Sequence, residues 1–251
     1  MTRLLLLLSL LCIACQNTPP QTAPTPSGER PWRTAAFSLM RADGLWLDDE
    51  PLGSDLGLSA GDAPDSTIER LLAHRLTLPA GVSVAILHFA GARAGRSWFS
   101  SRDVSELTQA LADSMVAALS SSPRVTRAMV LPALFVGEKP TIAGLREGAA
   151  RLQARVLLVY RPSCRFYERV PFVGSTQYRA LCTIEAAALD TRSGVIPWST
   201  VVTREYVTQR QRGDFDAAGT WRRAQLQALL VAGADVSGRI GTFLVRVPVE
   251  P

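Results

Sequence analysis

Three short apolar runs, separated by two stretches of helical periodicity, limit this chain more than any other feature. The runs are VSVAILHF (Val82–Phe89), TRAMVL (126–131) and VLLVY (Val156–Tyr160). Runs of this length and composition read as strands buried on both faces. Between the first two, Val104, Leu107, Leu111, Met115, Ala118 and Leu119 recur at helical spacing to about Ser121. Ser100-Ser101-Arg102-Asp103 offers the cap for that helix, and Pro123 stops it. Between the second and third runs, Thr141 opens another helix to about Ala154, with Ile142, Leu145, Ala149 and Leu152 on one face. Short connections in a strand–helix–strand–helix–strand order require right-handed crossovers and an at least partly parallel sheet.

The pattern changes after Arg161. Two strand-like runs, Ser163–Val170 and Gln177–Asp190, flank Pro171-Phe172-Val173-Gly174-Ser175. Asp190-Thr191-Arg192-Ser193-Gly194 then turns the chain into Val195–Thr208, which makes an antiparallel meander. A last helix is expected over about Phe215–Thr242, with Trp221, Leu226, Leu229, Leu230, Val236 and Ile240 as core contacts, broken or ended by Gly238-Arg239-Ile240-Gly241. A short helix over residues 66–74 precedes the first strand. The fold class is therefore α/β: a two-layer or three-layer βαβαβ unit extended by an antiparallel β-meander and a C-terminal helix. It forms a single domain over residues 66–248.

The chain opens MTRLLLLLSLLCIAC. Arg3 precedes an apolar run from Leu4 to Ala14, too short for the roughly 20 residues of a bilayer span and right for a signal peptide. Cys12-Ile13-Ala14 before Cys15 resembles a bacterial lipobox, in which cleavage is coupled to lipidation of the cysteine. Leu is usual where Cys12 stands. The C-x-x-C spacing of Cys12 and Cys15 lacks the helix-start and βαβ surroundings of a redox site. The reading is a signal over 1–14, lipidation at Cys15 with acyl chains of the palmitate type, and a Pro/Thr-rich tether over 15–30. Gln16, not Asp, follows Cys15, and resemblance to enterobacterial lipoprotein sorting implies the outer membrane, with the folded part in the periplasm. Residues 31–65 read as an irregular acidic segment packed on the domain. Its Asp48-Asp49-Glu50 run lacks the spacing of an EF-hand calcium loop.

The net charge of +5 rests almost wholly on arginine, with Lys139 the one lysine. The arginines are scattered and interrupted by acids, unlike the clustered basic residues of a nucleic-acid site, so no nucleic acid is expected as partner. Cys164 and Cys182 have Val173 as their midpoint, inside the turn, so a regular hairpin makes them cross-strand neighbours within disulfide reach. An oxidising periplasm favours that bond, and two buried free thiols are the alternative. No G-x-S-x-G, H-E-x-x-H, S-x-x-K or Walker pattern occurs, and His74 and His88 lack sequence-local partners. No catalytic residue, cofactor or metal is assigned.

The layout from Val82 to Leu244 resembles periplasmic assembly lipoproteins, the curli secretion lipoprotein among them, and the TolB amino-terminal domain. The stretches SPRVTRAMVLP, RLQARVLLVY and AALDTRSGVI, behind the short first helix, more specifically resemble the bacterial rhombotarget lipoproteins. That resemblance implies a non-catalytic lipid-anchored envelope protein, an interaction or assembly factor whose protein partner is unnamed. Its working surface is expected in the 91–100 loop, through Arg93, Arg96, Trp98 and Phe99, and at the 170–176 hairpin tip. A subunit of an oligomeric secretion pore is the second reading, with homo-oligomers expected. A hydrolase using His88 is the third.

Overall fold

The computed structural model describes residues 33–34, 65–89, 101–136, 141–170, 175–211 and 216–251. By its contacts the chain divides into Met1–Arg33 and Thr34–Pro251, and the elements named here belong to the second part. In order they are α1 (Asp65–Ala73), β1 (Val82–His88), α2 (Ser101–Ser120), β2 (Val125–Val130), α3 (Ile142–Arg151), β3 (Val156–Arg169), β4 (Gln177–Asp190), β5 (Trp198–Gln209) and α4 (Ala217–Arg246). The main path of the sheet runs β2-β1-β3-β4-β5. β1 lies parallel to both β2 and β3, while β3, β4 and β5 are antiparallel neighbours.

Side-chain parity sorts the core into two layers. Val84, Ile86, Leu158, Tyr160, Ile184 and Ala186 point to one face, where α2 and α4 cover them. Ala85, Leu87, Leu157, Val159 and Leu189 point to the other, where Leu145 and Ala149 of α3 meet them. The parallel part is thus three layers thick. Past Tyr160 only the α2/α4 side has a helix among the described residues, so the meander is two layers. Thr141 caps α3 by accepting from the Gly144 amide at 3.1 Å, and Asp216 does the same for α4 from Gly219 at 2.9 Å.

Three expectations need correcting. Val156–Tyr160 and Ser163–Val170 are one strand, β3, running through Pro162. Cys164 and Cys182 are opposed with Cα atoms 4.1 Å apart, the spacing of a non-hydrogen-bonded pair, and Pro162↔Ile184 two residues on is of the same kind. The Pro162 nitrogen therefore faces away from β4, on the side where the pairing with β1 stops at His88↔Tyr160. No ladder bond is lost there, so the strand continues.

The second correction concerns α4, which continues through Gly238-Arg239-Ile240-Gly241 to Arg246. Its close partner is α2: a Cβ on Gly233 would lie 2.7 Å from Leu111 Cδ1 and 3.2 Å from Met115 Cγ. Gly233 lets the two helices approach, and burial of Val236, Ile240 and Leu244 outweighs the low helix propensity of Gly238 and Gly241. By length and composition α4 could cross a membrane, yet Trp221, Ala228, Ala232, Val236, Ile240 and Leu244 of this helix are buried in the core.

The expected last strand begins at Trp198, not Val195. Asp190 N–H instead donates to Val195 O at 2.9 Å, and Gly194, at φ 79°, supplies the left-handed residue of the turn.

Candidate functional site

Cys164 and Cys182 form a disulfide across β3 and β4. Both are buried against α4, and Cys182 Sγ lies 3.9 Å from Gln225 O. Phe166 and Tyr178 on the same strands meet Trp221 edge-on, with centroids 5.2 and 4.9 Å away. The bond is thus built into the contact between meander and helix.

Cys15, the segment 31–65 apart from Arg33–Thr34 and Asp65, and the loop residues Arg93, Arg96, Trp98 and Phe99 lie outside the described residues. Of the hairpin tip 170–176, Val170, Ser175 and Thr176 are described, and Val170 is 57% exposed.

His88 ends β1 opposite Tyr160, with ring centroids 5.6 Å apart. Burial holds the imidazole neutral, its pKa lowered to about 4, and burial together with the nearby Asp113 charge raises that of Tyr160. Such a histidine is a poor acceptor of protons at neutral pH. Among the described residues no group of three His, Cys, Asp or Glu side chains is arranged to hold a metal ion.

Past Arg161, the outer face of the meander is a polar grid. Its rows read Arg161–Glu185–Val201, Ser163–Thr183–Thr203, Arg165–Leu181–Glu205 and Tyr167–Arg179–Val207. Within it the Thr183 and Thr203 hydroxyls are 2.8 Å apart, Arg179 pairs with Glu205, and the Arg179 guanidinium sits 5.9 Å from the Tyr167 ring centroid. At the far end Gln177, Val207, Thr208, Gln209, Arg210 and Gln211 line an open hollow of about 430 Å³. Amides and a guanidinium suit contact with another polar surface more than bond-making chemistry.

The register also shows how the open edge of β5 is defended. Cys182↔Arg204 is a hydrogen-bonded pair, which turns the odd-numbered carbonyls of β5 outward. Arg204 donates to Thr203 O at 2.9 Å and Arg223 to Gln209 O at 3.0 Å. Guanidinium caps of this kind blunt an edge that would otherwise pair with another strand. The sequence gives Arg204 and Arg223 no distinguishing pattern; only the register assigns them.

No family model matches this chain, and no curated protein does either. Among solved structures it is similar to a PelC dodecamer from Paraburkholderia phytofirmans, at 16% identity over 65% of this chain and 91% of that one, with a TM-score of 0.33. It is also similar to a minor lipoprotein from Acinetobacter baumannii, at 10% identity over 66% and 95%, TM-score 0.36. A lipoprotein from Neisseria meningitidis matches at 13% identity over 64% and 97%, TM-score 0.30. At these scores the likeness carries no conclusion about assembly or function.

Proposed function

We propose that this chain is a lipid-anchored envelope protein whose periplasmic α/β domain acts by binding another envelope component, without catalysis. The observation that carries the reading is the buried Cys164–Cys182 disulfide in a chain that opens MTRLLLLLSLLCIAC. An oxidised structural pair suits an extracytoplasmic compartment; the signal over 1–14 supplies the export and Cys15 behind it the anchor. Gln16 favours the outer membrane over the inner. The neutral, partly buried His88 and the polar, solvent-facing grid support binding over hydrolysis.

A pore built from this hairpin is the weaker reading. One face of β3 and β4 is packed under α4, and the other carries Arg165, Arg179 and, on β5, Glu205, so neither face suits lipid.

The test is crosslinking and affinity capture from membranes, wild type beside Cys15→Ala, with the intact mass of the purified chain measured in parallel. A mass corresponding to a cleaved, acylated Cys15 and a defined partner lost in Cys15→Ala are expected. Self-crosslinked rings alone would replace the adaptor with an oligomer, and an unmodified N-terminus would remove the anchor.

A further inference from the structure

Helix α1 sits oddly with the rest of the fold. None of its nine residues is buried, and Ile68, Leu71 and Leu72 are 44%, 46% and 73% exposed. Their i, i+3, i+4 spacing puts them on one face. A helix this short does not hold itself in water, and an amphipathic helix normally gains its stability by laying the apolar face on something.

The topology says which end of the domain this helix serves. Thr77 O accepts from Arg155 at 3.1 Å, Leu78 bridges to Val249, and β1 begins at Val82. So α1 stands at the end where β1, β2 and β3 start. α4 finishes at that same end, since Arg124, just before β2, donates to Val247 O at 3.2 Å. There Val245 and Val249 add two more aliphatic side chains, 51% and 53% exposed.

The charge at this end is one-sided. Arg70, Arg75, Arg127, Arg192 and Arg246 are exposed, against Asp65 and Glu69 on α1. The two other carboxylates there are engaged, Asp190 by Arg155 and Glu250 by Arg155 and, at 3.8 Å, by Arg192, which leaves Arg70, Arg75, Arg127 and Arg246 as the excess. Exposed aliphatic residues ringed by an excess of arginines match the polar–apolar boundary of an anionic bilayer.

We infer that this end of the domain rests on an anionic lipid surface, with α1 lying in the headgroup layer. The inference draws on the anchored reading only to bring a membrane within reach; the face is defined by its own residues.

The test uses the chain purified from membranes and reconstituted into vesicles of phosphatidylethanolamine and phosphatidylglycerol. An environment-sensitive fluorophore is placed at Leu72→Cys or, as the control, at Val207→Cys on the meander. Brominated lipids should quench the probe at position 72 and leave the one at 207 unchanged. Combining Leu72→Cys with Arg75→Glu and Arg246→Glu should lower the inserted fraction by about tenfold or more, as should replacing the anionic lipid with phosphatidylcholine. Equal quenching at both positions, or none at 72, overturns the inference. So does shielding of position 72 that grows with protein concentration in detergent, which would make a second copy the occupant. The intact mass separates the two readings. An unacylated chain whose position 72 is still quenched keeps the inference and loses the anchor; an acylated chain with position 72 unquenched does the reverse.

Discussion

Strand β3 passes through two environments within its own length. Leu157 and Val159 lie under α3 while Leu158 and Tyr160 lie under α2 and α4, so both parities are buried. Beyond Arg161 the even positions, Cys164 and Phe166, stay under α4, while Ser163, Arg165 and Tyr167 turn to the polar grid. Arg161 marks the change. It is the first residue on that face past α3, it is only 6% exposed, and its charge is met by Glu185 at 3.8 Å. A parallel strand flanked by crossover helices must be apolar throughout, whereas a meander strand needs one apolar face. One strand obeys both rules in turn because a crossover helix covers only its first half.

The largest effect should come from the outer end of the parallel half. Arg155, at the start of β3, pairs with the fully buried Asp190 at the end of β4 and holds Glu250 of the C-terminal tail at 3.0 Å. Arg155→Leu leaves a buried carboxylate without its cation and should cost about 3–5 kcal/mol in chemical denaturation. A loss under about 1 kcal/mol would show that Ser193, which also donates to Asp190, suffices alone.

Within the parallel half, Leu157→Ala should cost about 2–5 kcal/mol, since α3 cannot collapse into the space without moving. In the meander, reducing the Cys164–Cys182 bond or making Cys164→Ala with Cys182→Ala should cost about 3 kcal/mol, the loop-closure value for so short a loop. Equal losses from urea melts with and without reductant would show that packing against Trp221 dominates there.

His88 gives a pH signature at the end of the parallel half. Burial lowers its pKa to about 4 in the folded chain from the ordinary 6.5, so between these values the unfolded state binds the extra proton. The stability contribution is full above about pH 6.5 and is lost as the pH falls towards about 4, by at most about 3 kcal/mol. In His88→Gln the slope over that window should flatten; an unchanged slope would place the effect on other groups.

The smallest effect belongs to the grid. Leu181→Ala, on the same face of the sheet as Leu157 but past the reach of α3, should cost less than about 1 kcal/mol. A cost like that of Leu157 would mean that this face is covered in solution, and would erase the contrast.

Much of this contrast can be read in the sequence. VLLVY is continuous, SCRFYER alternates, and period-2 patterning separates the two kinds of strand. The change of pattern after Arg161 makes them read as separate strands, although they are one. The helix α4 was legible through its large residues, and Trp221, Leu229, Val236 and Ile240 are buried as expected. Ala224, Ala228, Ala232 and Gly233 were not singled out, because small residues carry little hydrophobic signal while permitting the closest approach.

The sequence by itself determined the order of elements, the parallel-then-antiparallel character of the sheet and the register that opposes Cys164 to Cys182. Each follows from local periodicity, turn chemistry and chain reach. Tertiary structure decided that Pro162 sits where no ladder bond is needed, that Gly233 lets α4 close on α2, and that core packing carries α4 through Gly238 and Gly241. It also gathered arginines from α1, β2, the β4–β5 turn and the end of α4 at one end of the domain. These depend on which strand lies beside which and on contacts between residues far apart in the chain, and no local pattern encodes such distances.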